Sequence, residues 1–424
     1  MKLLHIAFRN LLRAKRRNAL SGGTMVLGSA ALVLGNGLSD GIARQLTANL
    51  VAVQTGHIQV VVRPDDFLPQ NSPFDAYGSD HLPGAMRLSQ HIETEGRSAG
   101  VLKAVPFLHT RATAIAGNRS SPASVIGVDV EREPELVNAH PPETGQFLPA
   151  GDDLAVYVAA PMARKLRLAV GDPVSFITQT PQGAVNSLDA VVCGVFPKTA
   201  PWYDNTFYVS LVAAQGLLDW KDGATNIKIT LADGRPSGAR RARGTIAAIV
   251  ARFAPEPLPK GTRIRVETFD EAGRFSFSII QANEAALFVL SSFLFLAAAV
   301  GIVNAMLMSV HERTREIGTV RALGVRRSAV VRLFVLEGLA LGIVAAVLGV
   351  ALGGSIVLYY GARGIPMNTL TLAWMAGGDH LYPVLRWASA SRAALAIVAL
   401  STLAAVYPAF AASRLEPREA LHHV

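Results

Sequence analysis

Charge is scarce in this sequence and cysteine is nearly missing. Only 17% of its 424 residues are Asp, Glu, Lys or Arg, against about a quarter in an ordinary soluble domain. Half of the residues are hydrophobic and the mean hydropathy is +0.33, which excludes disordered and collagen-like classes. The single cysteine, Cys193, excludes an intrachain disulfide, a Cys-ligated zinc site and a CxxC redox pair. No GxxxxGK[ST] is present, so the chain brings no P-loop of its own for ATP. HExxH, GxSxG and Cys/His clusters at metal-ligand spacing are missing too. Asp65-Asp66 and Asp152-Asp153 stand in turn contexts, where Asp bends and caps backbone. His422 and His423 read as solvated.

The apolar residues are concentrated. Four runs carry no charge: Asn18–Ser39, Ala285–Val310, Gly338–Ala362 and Ala393–Ser413. Crossing about 30 Å of hydrocarbon at about 1.5 Å per residue takes roughly 20 residues, and each run is long enough. The first follows a basic stretch and could be taken for a secretory signal. Its apolar part exceeds the usual signal length, however, and lacks a cleavage site, so an uncleaved span is expected.

The charges between the runs then fix an orientation. The net charge of +9 resolves into +6 for residues 1–17, +4 for 311–332 and 0 for 414–424. The long segment 40–284 carries −2, the loop 363–392 carries +2, and Glu337 adds −1. With four spans the first three segments share one side, and that side holds the surplus, as the positive-inside rule requires. The expected architecture is an α-helical membrane protein with four transmembrane helices in a 1+3 layout. A large external mixed α/β domain is inserted between the first and second helices. Both termini are cytoplasmic. The basic charge serves topology, and nucleic acid is not an expected partner.

The expected order is a basic N-terminus at 1–17, then a first span with external extension at 18–46. The α/β domain follows at 47–275, and a second span with its stalk at 276–310. A cytoplasmic connector occupies 311–328, a third span 329–362, an external loop 363–392, a fourth span 393–413 and the tail 414–424. Within the external part, Ile58–Val62, Ala112–Ala116, Ala123–Val128, Leu154–Val158, Pro173–Thr178, Ala190–Phe196, Thr206–Val209, Asn226–Leu231 and Arg263–Thr268 read as strands. Met86–Glu95, Ala160–Leu166, Leu211–Leu218 and Gly238–Phe253 read as helices.

The connector is the most informative stretch. Ile317, Val320 and Leu323 recur at helical spacing, flanked by Glu312, Arg313, Arg315, Glu316 and Arg321, with Gly318 between them. Gly324 suits a C-cap and Ser328 an N-cap for the next helix. A plain solvated connector would not need an apolar stripe. A short helix with an apolar ridge and a charged rim is suited to a partner's groove. Glu337, at the edge of the third span, needs a partner or interfacial water at that depth. Gly338-x-x-x-Gly342 and Gly349-x-x-x-Gly353 permit close helix contact.

Glu312-Arg313-Thr314-Arg315-Glu316-Ile317-Gly318, followed by Arg321-Ala322-Leu323-Gly324, resembles the hallmark of FtsX-like ABC permeases of the MacB/LolC-LolE type. Leu336-Glu337-Gly338, Tyr407-Pro408-Ala409, Ala411-Ala412-Ser413-Arg414 and the stretch Leu415–Leu421 are similar to the same pattern. So are Gly194-Val195-Phe196 with Tyr203-Asp204 in the external part. The resemblance implies a non-catalytic permease subunit whose segment 312–324 is an ATPase-coupling helix. It implies two copies of a separate cytoplasmic ABC ATPase that bind the ATP and Mg, and a second permease chain, identical or not. No cofactor is expected in this chain. A periplasmic lipoprotein, chaperone or outer-membrane partner is compatible with it. The expected work is mechanotransmission for export or lipoprotein release. The alternatives are an FtsX-type signalling permease that activates an external cell-wall hydrolase, and a sensor or adhesion protein without an ATPase.

Overall fold

The structure, a computed structural model, describes residues 15–68, 77, 80–254, 258, 260–369, 372–373, 376 and 378–414. Most of the basic N-terminus and the tail motif from Leu415 on, with His422 and His423, lie outside the described residues. The chain divides into a helical unit (1–42, 281–365 and 381–424) and an α/β unit (43–280 and 366–380).

The helical unit is built from α1 (Lys15–Asn49), α8 (Arg274–Glu312), α9 (Thr314–Ala322), α10 (Arg327–Arg363) and α11 (Trp387–Arg414). Four helices, all of these but α9, are long and apolar enough to cross a membrane. The small residues of α10 explain its packing. Gly338 and Gly342 meet Ser401 and Ala405 of α11, and the Ser401 hydroxyl donates to the Gly338 carbonyl at 2.6 Å. Gly349 and Gly353 meet Val26, Ser29 and Ala30 of α1. Glycine lets these backbones approach closely; a Cβ on Gly342 would lie 2.8 Å from the Cβ of Ser401. The two glycine pairs therefore serve two different neighbours.

The helices α2 (Ala85–Glu95), α3 (Pro134–Ala139), α4 (Ala160–Leu166), α5 (Leu211–Leu218), α6 (Pro236–Phe253) and α7 (Phe269–Ala272) belong to the α/β unit. They decorate a ten-stranded mixed sheet in the order β10-β1-β9-β2-β3-β8-β5-β7-β4, with β6 pairing β2 and β7. The strands are β1 (Ile58–Pro64), β2 (Val101–Ala116), β3 (Arg119–Val128), β4 (Thr144–Gly145), β5 (Ala155–Ala159), β6 (Pro173–Gln179), β7 (Val185–Phe196), β8 (Thr206–Ser210), β9 (Asn226–Leu231) and β10 (Thr262–Thr268). Long β2 is shared by two lobes. Its first half pairs with β9 and its second half with β3. One core lies under α2 and α6, where Leu88, Ile92, Ile246 and Ile249 cover Val60, Ile227 and Ile229. The other lies under α4 and α5, around Val125, Val156, Phe176 and Phe207.

Expected and observed elements agree at α4, α5 and β9 to the residue. The start of β2 is a correction, because the strand begins at Val101 rather than Ala112. Pro106 disguises it: proline donates no ladder hydrogen bond, yet Pro106 sits opposite Ile227. The loop 363–392 divides between the two units. Its residues 366–380 belong to the α/β unit, where Asp379 faces Lys198 at 3.6 Å and the His380 carbonyl accepts from Gln45 at 2.9 Å.

The junction after α1 is polar and enclosed. The helix continues into a π-helical turn, Leu50–Thr55. Lys228 of β9 donates to the Ala52 carbonyl at 3.1 Å and pairs with Glu133 at 2.6 Å, both side chains almost fully buried. Asn226 donates to the Gln54 carbonyl at 3.4 Å. A buried ion pair holds only if its remaining hydrogen-bonding capacity is met, and here part of that capacity grips the turn.

Candidate functional site

The helical unit places the connector where its sequence pattern becomes a physical device. Helix α9 follows α8 after a break at Arg313, whose φ of −106° and ψ of 14° leave the helical range. Thr314 turns its hydroxyl back onto the carbonyls of Val310 and His311, at 3.0 and 2.9 Å. The helix ends at Gly324, whose φ of +88° is a left-handed conformation that glycine adopts without strain. Ser328 does not cap α10 as expected. The helix starts at Arg327 behind an extended Arg326, so Ser328 already lies in the first turn.

Three contacts pin α9 to the bundle. At its start the Arg313 guanidinium faces the buried Glu337 carboxylate of α10 at 3.7 Å. In its middle Ile317 packs in an apolar cluster with Val310, Val330, Phe334, Ala409 and Ala412. Near its end Arg321 donates to the Ser413 carbonyl of α11 at 2.6 Å, where a cation also meets the negative end of the helix dipole. One pin draws on α10, one on α11, and the middle one on both.

The expected apolar ridge is accordingly divided. Ile317 and Gly318 are buried within this chain. Three-residue steps advance by only 300°, so Ile317, Val320 and Leu323 fan across the helix surface rather than forming one line. Val320 and Leu323 point outward, and Leu323 is 81% exposed. Glu312, Arg315 and Glu316 are exposed around them, and Val325, Arg326 and Arg327 extend the face beyond Gly324. Glu337 has a partner in Arg313, 24 positions upstream. Neither the Glu337–Arg313 pair nor the Arg321–Ser413 contact has a signal in the local sequence.

The groups with familiar acid–base or nucleophilic potential lie elsewhere and are muted. His140 is buried and His109 half-buried in the α/β unit, and burial first, aided at His109 by Arg111, holds each imidazole down at about 3. Both are therefore neutral at ordinary pH. Burial pushes the Cys193 thiol up to about 11, so it is a poor nucleophile. No group of three His, Cys, Asp or Glu assembles at metal-binding distance among the described residues.

Comparison with known proteins matches two successive parts of the chain to two families. The MacB-like periplasmic core domain family matches residues 19–243, and the FtsX-like permease C-terminal family matches residues 288–417. The lipoprotein-releasing system transmembrane protein LolC of Neisseria meningitidis is 24% identical over 351 residues, covering 78% of this chain and 80% of that relative. LolE of Haemophilus influenzae is 22% identical, covering 96% of each. The macrolide export ATP-binding/permease protein MacB of Bdellovibrio bacteriovorus is 23% identical across 99% of this chain, which spans only 61% of that longer relative.

Proposed function

The chain belongs to the FtsX-like permease family of MacB/LolC-LolE-type ABC transporters, and from that premise we propose that it is a mechanical membrane subunit driven by a separate ATPase. Its α/β unit lies outside the cytoplasmic membrane, after one span and before three, and both termini lie inside. Two ATPase subunits bind the ATP and Mg. They grip α9 of this chain and of a second permease chain, and move the external unit to export a substrate or release a lipoprotein.

The observation that carries this reading is the pinning of α9. Force applied to Val320, Leu323, Arg315 and Glu316 reaches α10 through Glu337 and α11 through the Ser413 carbonyl. The Ile317 cluster holds the helix seated meanwhile. On the other side α1 ends in a π-helical turn held by Lys228 and Asn226, so movement of α1 would be passed to β9 and its sheet. Cargo is then handled by the external unit.

Two measurements on native membranes test this. Purification of the tagged chain should bring an ABC ATPase with it. In a Cys193→Ser background, cysteine at Asp152 should react only from outside and cysteine at Val325 only from the cytosol. Cytosolic labelling of position 152 would overturn the architecture. Loss of any ATPase partner would overturn the drive.

A further inference from the structure

The α/β unit has an open sheet edge with an unusual lining. Among the described residues β10 has a strand on one side only, its antiparallel partner β1. Along the other edge runs a cavity of about 820 Å³, lined by consecutive residues Arg263 to Glu267. Consecutive strand residues alternate faces, so the cavity follows the edge and takes in both faces. One wall is α6, through Ala247, Val250, Ala251 and Ala254, and the other is Phe67 with Leu68 beyond β1. An uncovered strand edge offers a row of N–H and C=O groups to an incoming strand.

The slot is itself patterned with period two. Ile264 and Val266 pack on the core face toward α6, so that side is apolar and small. Arg263 and Arg265 fall on the opposite face, in register with Arg63 and Val61 of β1. The two acids in the lining are already engaged. Glu267 accepts from Arg63 at 2.9 Å and from Gln59 at 3.0 Å, and Glu271 from Arg243 at 2.5 Å. Among the described residues Arg263 meets Asp65 alone, at 3.7 Å and well exposed, a pair worth little. Arg265 has no carboxylate within ion-pair distance among the described residues. Arg274, at the start of α8, adds a further cation.

We propose that the β10 edge binds an extended acidic polypeptide segment as an added strand. Its backbone pairs along the stretch from Arg263 to Glu267, short of Thr268, whose N–H already donates to the Glu271 carboxylate at 3.2 Å. Its carboxylates face Arg263 and Arg265, and the alternate apolar side chains rest on the alanine face of α6. Main-chain pairing supplies the affinity in this mode, and the alternating side chains the selectivity. This partner is distinct from the ATPase, and the inference does not depend on α9.

The test uses the full chain in neutral phosphatidylcholine nanodiscs and a fluorescent decapeptide of alternating Glu and Val, read by anisotropy. Saturable binding is expected. It should weaken at least tenfold in Arg263→Glu/Arg265→Glu and more mildly in Arg265→Ala, whose smaller change guards against misfolding. A Lys/Val decapeptide should not bind. N-methylation of alternate amides, which removes the strand-pairing donors, should abolish binding. Absence of saturable binding would overturn the proposal. Equal affinity of the N-methylated peptide would also overturn it, because the slot would then be a general anion site without strand addition.

Discussion

The two units bury their apolar surface to different degrees. In the α/β unit both faces of β1 are covered, and even Arg63 and Lys228 lie inside. In the helical unit the most apolar stretch of α8 is only 6% buried, against 39% for α1, 39% for α10 and 33% for α11. Phe288, Phe293 and Leu296 of α8 stand 74%, 67% and 63% exposed. A helix that apolar and that uncovered requires lipid or another chain against it. One unit closes its core within one polypeptide, and the other is completed by its surroundings. Substitutions in the first should accordingly be felt as folding stability, and those in the second as assembly and coupling.

The strongest way to break this contrast is at the clamp on the π-helical turn. Glu133→Ala strands the Lys228 ammonium in the interior, and removing one partner of a buried pair costs about 3–5 kcal/mol. The urea midpoint of the α/β unit in the full chain should fall steeply, while membrane insertion stays normal. Lys228→Met added to Glu133→Ala should recover part of the loss. An unchanged midpoint for the single variant would mean the pair is solvated.

Acid sharpens the contrast next. His109 and His140 are held near 3 in the folded unit and return to about 6.5 when unfolded. Below pH 6.5 the unfolded chain binds more protons, so stability is intact above that value and falls as pH drops toward 3. Each histidine contributes a slope of about 1.4 kcal/mol per pH unit. Replacing His140 by Phe, which suits its aromatic surroundings of Phe196, Tyr203 and Tyr208, should flatten the pH dependence by about one proton. An identical slope would assign the acid sensitivity elsewhere.

Much of this division is legible in the sequence, because it rests on local signals. Uncharged runs locate the long helices, period-two and period-3.6 patterns locate most strands and helices, and Gly324 marks the end of α9. What escapes is whatever depends on distant partners. Lys228 reads as an ordinary charge in a strand until Glu133 and the Ala52 carbonyl close around it. Pro106 hides half of β2. Ile317 carries the same apolar signal as Leu323, and only the presence of Phe334 and Ala409 decides that one points in and the other out.

In the helical unit, Gly342→Leu should push α10 away from Ser401. Overpacking of this kind costs about 1–3 kcal/mol. The expected readout is lower thermal stability in detergent with the urea midpoint of the α/β unit unchanged. Parallel loss in both units would mean that they unfold as one. The smallest effect is expected at Glu337→Gln, which keeps the side chain's shape but removes the charge facing Arg313 at 3.7 Å. ATPase binding should persist, with hydrolysis only partly coupled to transport. If both rates match the native chain, the Arg313–Glu337 contact plays no part in coupling.

The central claim is that the outward face of α9 receives an ATPase, and Leu323→Asp tests it most directly. Leu323 is 81% exposed and packs in none of the buried clusters of its own unit, so the variant should insert and fold normally. In a partner's groove the new carboxylate would be buried unpaired, at several kcal/mol, and each 1.4 kcal/mol is a tenfold loss of affinity. Quantified against the native chain, co-purified ATPase should fall to background while the α/β unit keeps its urea midpoint. Full retention of the ATPase, with normal stimulated hydrolysis, would make α9 a connector and contradict the account.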